Sequence, residues 1–575
     1  MLKFKIQNSK LKKEMSGIYG SLQHYPSDIA TKKTEQFKYR SPFCQLDTSA
    51  NEVTAVVDGS IYNLPDNDSL AGLYRKHGVQ CLHYINGDYA FVIYDPLKNI
   101  LFGAVDRVGS KPLYYSLNNK FEFSSLLLPL CIGNSYSIDP YARRCYFAMQ
   151  YIPAPYTIIK EVMKLGAGEY FVYSIDDGTF KKEKYWDLYD NTSHYNPPAG
   201  FDEAVAFSDS LISDAVEMRM SSKGNIPLFL SGGIDSSLVA MYARNFNSSC
   251  EAFSVSFQES DWDECMYSSK VAEQLGLKYH KLVFTWQDAM KVIEGLQNYY
   301  DEPIGDASAI PTSFLCEQAN GSTNMALCGD GGDEVFFGYP RYLRYGKRQW
   351  VYNLPKAFRQ AGAGIADLSG SKRLALSLRM KDVQTLYLNR RKYFPAENFD
   401  ALEIQQSIDQ CKYLYDNKDA RRAMNDFDIK TVLPYELCVK MDRASARALL
   451  STRAPLLDYR LLEYSKLIPT DILYRADLGQ KSILRHILYR GLPSELFQRQ
   501  KRGFGVPINQ WFRNGLKSYI TDTITLETLK SIPEYDSDKL LIMRDNHING
   551  TADYAPLLWM IANYIEWHRL FERVH

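Results

Sequence analysis

The sequence lacks the patterns that would place it among metal-binding, secreted or membrane proteins. Its ten cysteines form no CxxC pair and no cluster with histidine, so no zinc or iron–sulfur site is predicted. We interpret them as free thiols of a reducing compartment. No apolar run approaches the roughly 18 residues of a membrane-spanning helix, and the N-terminus has no apolar signal-peptide core. We therefore expect a cytoplasmic protein without a membrane span.

The sequence also has no net charge. Its 67 Lys and Arg residues balance 67 Asp and Glu residues. The overall charge therefore favours neither nucleic acid nor an anionic membrane as a partner, although it leaves room for a local basic groove. We expect no nucleic-acid partner. The length of 575 residues has room for two to four domains.

What the sequence does contain is an apolar strand that ends in a glycine–serine loop. Residues 227–237 read PLFLSGGIDSS, and a helical segment follows. A strand, a tight turn and a helix N-terminus present backbone N–H groups to phosphate oxygens. Ser231, Ser236 and Ser237 add hydroxyl donors. Asp235 can hold a magnesium ion. The loop has no Walker lysine, so it is not the GxxxxGK[ST] loop of kinases and GTPases.

Two domains are predicted, residues 1–190 and 200–575. The first contains short apolar, β-branched runs such as 53–57, 89–94 and 100–105, which predict strands, and a helical segment that begins at Asn67. We interpret it as a β-rich α+β domain. A polar, turn-rich stretch near 185–199 predicts a linker. From Phe201 onward, helices and strands alternate as in a doubly wound parallel sheet, and the remainder is mostly helical.

The loop and other motifs resemble those of a known family. SGGIDSS resembles the pyrophosphate-binding loop of the ATP pyrophosphatases, which cleave ATP between the α- and β-phosphates. Eight further motifs, in the same order along the chain, resemble those of class B asparagine synthetases: MSGIYG (15–20), DGSIYN (58–63), DRVGSKPLYY (106–115), DEPIGDASAIP (301–311), LCGDGGDE (327–334), KMDRAS (440–445), RAPLLD (453–458) and KRGFGVP (501–507). The resemblance implies an N-terminal-nucleophile-hydrolase-like sandwich, followed by an α/β doubly wound ATP-pyrophosphatase domain with a helical C-terminal part.

The first domain of that family releases ammonia from glutamine. This sequence differs from the family at the residues that carry out that reaction. Ser16, behind Met15, stands in place of the nucleophilic cysteine. Asp58 replaces an oxyanion-hole asparagine, and a carboxylate there would repel the developing oxyanion. Ser60 replaces a glutamate that holds the substrate, while Arg40 is kept. We predict a scaffold without glutaminase activity. A serine nucleophile at an exposed N-terminus is the alternative.

The second domain keeps the family's synthetase motifs. The implied reaction is attack of a carboxylate on the α-phosphorus of ATP, followed by attack of an amine on the acyl-adenylate. ATP and Mg²⁺ are the implied cofactors, with the metal on Asp235 and Asp333. Lys501, Asp330 and Glu334 are the implied catalytic residues, and Asp330 argues against the β-lactam synthetases, which have tyrosine there. The implied nucleotide-binding residues are Leu230, Ser231, Gly232, Gly233, Asp235, Ser236, Ser237, Val255, Cys328 and Gly329.

The sequence leaves the nitrogen source open. An amine on the substrate itself, as in the lasso-peptide cyclases that close a macrolactam, is the preferred interpretation, because these enzymes also lack the cysteine. The alternative is ammonia, giving asparagine or another amide. The carboxylate belongs to a small molecule or a peptide, and a peptide would imply a precursor protease or leader-binding protein as partner. A non-catalytic ATP-binding scaffold and a tRNA-thiolating enzyme fit the motifs less well.

Overall fold

The computed structural model describes residues 19–23, 52–64, 67–118, 120–131, 134–190, 192–220, 224–320, 323–390, 413–415, 417–498 and 504–574. Three predicted site residues, Ser16, Arg40 and Lys501, lie outside the described residues. Their predicted roles stay predictions.

Two antiparallel sheets form the first part of the chain. Their strands are β1 (Tyr19–Gln23), β2 (Thr54–Ile61), β3 (Gly87–Asp95), β4 (Ile100–Val105), β5 (Tyr114–Ser116), β6 (Lys120–Ser124), β7 (Met163–Lys164), β8 (Glu169–Ser174) and β9 (Phe180–Lys184). One sheet has the order β1-β6-β5-β7 and the other β2-β3-β4-β8-β9. Aromatic side chains of both sheets share one core, where the Phe121 ring stacks on Tyr173 at 4.2 Å. The predicted strands at 53–57, 89–94 and 100–105 are confirmed as β2, β3 and β4.

Helices of the first part cover the sheets and reach the second part. They are Asn67–His77, Leu128–Cys131 and Pro140–Met149, with a 3₁₀ segment at Gly78–Tyr84. The helix predicted to begin at Asn67 is confirmed. Asp139 caps the third helix by accepting hydrogen bonds from the next turn, and a proline follows at its first position, where the missing N–H has no cost.

A parallel sheet forms the centre of the second part, as the alternation of elements predicted. Its strands are β10 (Pro227–Phe229), β11 (Glu251–Phe257), β12 (Lys278–Phe284), β13 (Met325–Leu327) and β14 (Ser451–Arg453). The order is β12-β11-β10-β13-β14, and all four neighbouring pairs are parallel. The order of the strands reverses between β10 and β13. In such sheets a crevice opens at the carboxyl ends of those two strands, where ligands bind.

Helices connect these strands and form most of the remaining chain. Those within the sheet region are Phe201–Arg219, Ile234–Phe246, Cys265–Gln274, Trp286–Leu296, Ala309–Ala319 and Gly332–Val335. Those beyond are Pro340–Gly346, Gln349–Tyr352, Lys356–Leu368, Lys372–Arg379, Val383–Arg390, Ala420–Phe427, Cys438–Arg447, Tyr459–Leu467, Thr470–Leu473, Ser482–Leu488, Ile508–Arg513, Lys517–Thr523, Ser537–Ile548 and Ala555–Val574, with a π-helical segment at Asp428–Leu437. A short hairpin of β15 (Tyr474–Arg475) and β16 (Gly479–Gln480) precedes Ser482–Leu488. Among the described residues, no helix is both long and apolar enough to cross a membrane.

The C-terminal helix joins the two parts of the chain. Its Trp559 and Trp567 are fully buried, so this helix packs as core. The Tyr146 hydroxyl, from helix Pro140–Met149, donates a hydrogen bond to the Met560 carbonyl oxygen at 3.0 Å. One apolar core extends from Val108 to Phe571. The predicted linker region therefore separates two kinds of sheet, but this apolar core contains residues from both sides of it.

Candidate active site

The loop after β10 is held open for an anion by its own backbone and hydroxyls. The Leu230 N–H donates to the Phe253 carbonyl oxygen at 3.0 Å, which continues the sheet past the strand end. Gly232 then turns the chain with φ +71°, a conformation that favours glycine. The Ser231 and Ser236 hydroxyls lie 3.0 Å apart across the turn. The loop therefore brings the N-terminus of helix Ile234–Phe246 to the crevice.

The loop after β13 packs directly against this turn. A Cβ on Gly329 would lie 2.5 Å from the Ser236 backbone nitrogen, and a Cβ on Gly332 would lie 2.3 Å from Asp235 Oδ1. Both contacts are closer than any side chain tolerates. The glycines of this motif thus allow two strand ends to meet, and they bring Asp333 beside Asp235.

A buried lysine lies between these two carboxylates. Lys481 Nζ is 2.5 Å from Asp235 Oδ2 and 2.6 Å from Asp333 Oδ1. Lys481 has φ +56°, which is uncommon for a residue with a side chain. Gly338 makes room, since a Cβ there would lie 1.9 Å from Lys481 Cε. Backbone strain that the surroundings maintain is a feature of functional sites.

Sequence analysis did not assign Lys481 a role, although the motif Gly479-Gln480-Lys481 stands at a helix start. Its contacts join residues 246 positions apart. Short-range sequence patterns carry no signal for such a contact.

The pair Asp235 and Asp333 fits the predicted magnesium site only in part. Mg²⁺ commonly binds one or two carboxylates together with waters and substrate phosphates. Two carboxylates that converge on one ammonium group meet that requirement when phosphate oxygens supply the other ligands. In the part of the chain that the structure describes, no group of three or more His, Cys, Asp or Glu residues has the geometry to hold a metal alone. These residues therefore fit a metal that arrives with a nucleotide.

Glu334 is a carboxyl group with an altered proton affinity. Burial, and then the charge of neighbouring Asp333, raise the pKa of Glu334 to about 7. The Tyr339 hydroxyl donates a hydrogen bond to Glu334 Oε1 at 2.5 Å. The raised pKa favours the neutral form of Glu334, which limits the negative charge beside Asp333.

Asp330 lies at the β13 end, on the opposite side of the crevice from β11. The Cys328 thiol donates to Asp330 Oδ2 at 3.5 Å, and the Cys328 N–H donates to the Arg453 carbonyl oxygen of β14 at 3.0 Å. Burial raises the pKa of the Cys328 thiol well above its usual value. Cys328 is therefore a neutral hydrogen-bond donor, and it holds Asp330 toward the cavity.

Both parts of the chain line one cavity of about 410 Å³. From the first part, Asp88, Ser110 and Lys111 face it. The Lys111 ammonium pairs with Asp442, and its Nζ lies 4.0 Å from Asp58 Oδ1. Burial alone would lower the pKa of Lys111, but the charges of Asp442 and Asp58 raise it. The first part thus supplies a charged wall of the cavity.

The structure brings most of the predicted synthetase residues to this cavity. Those that line it are Leu230, Ser231, Gly233, Asp235, Ser236, Val255, Cys328, Gly329, Asp330, Asp333 and Glu334. Two predicted nucleotide-binding residues do not line it. Gly232 faces the backbone of Ser268, and Ser237 is fully buried within its helix.

Asp58 and Ser60 lie on β2, away from the cavity lining. The Arg453 guanidinium reaches the Ser60 hydroxyl at 3.5 Å. The predicted glutaminase position 60 therefore contacts β14 of the synthetase sheet. A glutamate there would meet the same guanidinium.

Sequence analysis missed a second lysine on the cavity wall. Lys440 Nζ lies 3.0 Å from Asp306 Oδ2 and 2.9 Å from the Ser308 hydroxyl. All three residues belong to motifs that the sequence analysis quoted. The motifs therefore indicated a site, but they did not predict that Lys440 pairs with Asp306.

Comparisons with known proteins agree with this arrangement. The model of the asparagine synthase family matches residues 208–569, and the model of a glutamine amidotransferase domain matches residues 61–186. A Methanocaldococcus jannaschii protein named "putative asparagine synthetase 2 (glutamine-hydrolyzing)" is 33% identical over 427 residues, covering 68% of this chain and 81% of that protein. Asparagine synthetase 1 (glutamine-hydrolyzing) of Bacillus subtilis is 26% identical over 524 residues, covering 88% and 81%. The chain belongs to the asparagine synthase family and is an ATP-dependent carbon–nitrogen ligase with a glutamine amidotransferase-type first domain.

Proposed function

We propose that this enzyme activates a carboxylate as an acyl-adenylate and joins it to an amine, on the substrate itself or from ammonia, without hydrolysing glutamine itself. Ser16 in place of cysteine motivates this proposal, and one structural observation carries it. The Asp58 carboxylate lies 4.0 Å from the Lys111 ammonium. An oxyanion hole needs hydrogen-bond donors directed at the developing negative charge. An ionised carboxylate offers no donor and repels that charge.

The synthetase cavity supplies the first step. The triphosphate of ATP would lie over the loop Leu230–Gly233, where helix Ile234–Phe246 directs its N-terminus. Lys481 would compensate negative charge on the departing pyrophosphate from between Asp235 and Asp333. Lys501 would supply a further positive charge. Magnesium, when bound, would neutralise phosphate charge through Asp235 and Asp333. The carboxylate oxygen then attacks the α-phosphorus, and pyrophosphate leaves.

The amine attacks in the second step. Eight acidic residues line the cavity against two lysines: Asp88, Asp235, Glu264, Asp306, Asp330, Asp333, Glu334 and Asp442, against Lys111 and Lys440. Lys481 pairs with Asp235 and Asp333 from behind the lining. This excess favours a cationic ligand. Asp330 lies at the β13 end, where it can accept a hydrogen bond from the amine and orient it. The amine nitrogen then forms the amide bond, and AMP leaves.

Two amines fit this site. An amine on the substrate itself, which would give a macrolactam, agrees with the loss of glutaminase residues and is the interpretation we propose first. Ammonia is the second candidate. Both relatives are named asparagine synthetases, which agrees with an amide made from ammonia, although their names give glutamine as its source.

Products read by mass distinguish these possibilities. The purified enzyme is incubated with ATP and Mg²⁺, either with aspartate and ammonium or with peptides that carry a free N-terminal amine and an Asp or Glu side chain. A peptide product lighter by one water, with AMP and pyrophosphate, supports the macrolactam interpretation. Formation of asparagine from aspartate and ammonium supports the second candidate. Formation of ADP in place of AMP would contradict the acyl-adenylate proposal itself.

A further inference from the structure

One segment of the chain has a charge that the molecule as a whole lacks. Residues 341–390 contain eleven Lys and Arg residues and two Asp residues, whereas the full sequence has 67 of each sign. The segment includes the two helices Lys356–Leu368 and Lys372–Arg379, which pack against each other. We call these two helices and the chain that leads into them, residues 347–381, the basic hairpin.

The basic hairpin carries an apolar stripe that faces outward. Phe358, Ile365 and Leu368 are 72%, 69% and 91% exposed, and Leu354 and Trp350 are 42% and 63% exposed. Positions 358, 361, 365 and 368 follow the three- and four-residue spacing of one face of helix Lys356–Leu368, with Ala361 between the large side chains. The stripe thus combines three large exposed side chains of one helix with two from the chain that leads into it.

The inner face of the hairpin is composed of small residues. Ala363, Ala366 and Ala375 are buried there, with Leu378 beside them. The hydrophobic effect would favour the reverse arrangement in an isolated soluble chain, with large apolar side chains inside and alanine outside. A contiguous exposed apolar patch with a polar rim is typical of an interaction surface.

The charge around the stripe decides between partners. A second copy of this chain would bring two strongly basic faces together, which like-charge repulsion opposes. Nucleic acid would engage the Lys and Arg residues, but a row of leucine, isoleucine and phenylalanine has no counterpart along a phosphate backbone. An anionic lipid surface accepts both features, because its headgroups attract cations and its acyl chains accept apolar side chains.

We propose that the basic hairpin docks the enzyme on anionic lipid bilayers, with the apolar stripe inserted at the headgroup boundary and the surrounding Lys and Arg residues on the headgroups. Lys347, Lys356 and Lys372 are exposed in the same basic hairpin. This is a peripheral contact of a chain in which no described helix spans the membrane. This docking proposal does not depend on which amine the active site uses.

Vesicle sedimentation with the full chain tests this proposal. The protein is mixed with vesicles of phosphatidylcholine alone or with about 30% phosphatidylglycerol, at low and high salt. We expect the protein to pellet with the anionic vesicles and to remain in solution with the neutral ones. Salt should weaken binding, because part of the attraction is electrostatic.

Variants separate the apolar contribution from the charge. The double variant Phe358→Ser/Ile365→Ser and the double variant Lys356→Glu/Lys372→Glu should each lower the vesicle partition coefficient by about tenfold or more. Leu526→Ser/Ile542→Ser is the matched apolar control, since these side chains are 55% and 58% exposed elsewhere. Lys517→Glu/Lys530→Glu is the matched charge control on exposed lysines. Circular dichroism and thermal unfolding confirm that each variant is folded.

Three outcomes would overturn the proposal. The first is no sedimentation of the wild-type chain with anionic vesicles. The second is equal loss of binding in the hairpin variants and in their controls. The third is binding to RNA or to an acidic polypeptide, with no binding to vesicles, which would assign the surface to a macromolecular partner.

Discussion

Lys481 holds together two carboxylates that come from separate loops of the parallel sheet. Its ammonium lies within 2.6 Å of an oxygen of both Asp235 and Asp333. Without it, two acids would repel each other at the place where we propose that the triphosphate binds. The lysine therefore has two effects, since it keeps the loops together and lowers the negative charge that ATP meets.

Replacing Lys481 by alanine should lower kcat/KM for ATP-dependent pyrophosphate release by roughly 10²–10³-fold, as loss of a transition-state charge contact does. Lys481→Arg should recover part of the activity, because it keeps the charge. Lys517→Ala, at an exposed position, is the control. Pyrophosphate release by Lys481→Ala within a few-fold of wild type would show that the lysine does not meet the phosphates.

Glu334 should make ATP binding depend on pH. Its pKa of about 7 means that the group gains a negative charge as the pH rises through 7. The KM for ATP should therefore increase between about pH 6 and 8. Glu334→Gln keeps the acceptor for the Tyr339 hydroxyl but cannot ionise, so its KM should change less over the same range.

Steady-state kinetics at several pH values measure this difference, with Glu294→Gln, an exposed change on helix Trp286–Leu296, as the control. The same increase of KM in Glu334→Gln and in wild type would assign the pH dependence to another group.

At the scale of single elements, the phosphate loop depends on a close contact between two strand ends. The contact is possible because Gly329 has no side chain beside the Ser236 backbone nitrogen. Gly329→Ala should force the β13 loop away from the helix start, at a cost of about 1–3 kcal/mol of folding free energy. It should also weaken ATP binding.

Gly364→Ala is the matched control, because a Cβ there meets nothing within 4 Å and lies within a helix. It should leave ATP binding unchanged and stabilise the chain by up to about 1 kcal/mol. Thermal unfolding and ATP titration measure both effects. Equal behaviour of the two variants would contradict the close-contact account.

The elements were largely predictable from sequence because their signals are local. Apolar runs with β-branched residues predicted β2, β3 and β4, and the strand–glycine–helix pattern predicted the loop after β10. The ion pairs of Lys481 and Lys111 were not predictable in this way. Each joins residues hundreds of positions apart, and only the packed sheet brings them together.

At the scale of the whole molecule, the first part of the chain is a structural component of the synthetase. Its helix Pro140–Met149 packs on the C-terminal helix, and its Lys111 pairs with Asp442 at the cavity wall. The boundary near residues 190–200 was predicted from composition. Composition can indicate a polar linker, but it does not predict how the parts on either side of the linker pack against each other. These contacts make the first part integral to the packing of the second.

The most direct test of this account follows the source of the nitrogen. The enzyme is incubated with ATP, a carboxylate substrate identified as above, glutamine labelled with ¹⁵N in its amide, and the unlabelled amine. The account predicts an amide product without ¹⁵N and no release of glutamate. Incorporation of ¹⁵N with equal release of glutamate would show that the first domain hydrolyses glutamine and delivers ammonia, and would contradict the central claim.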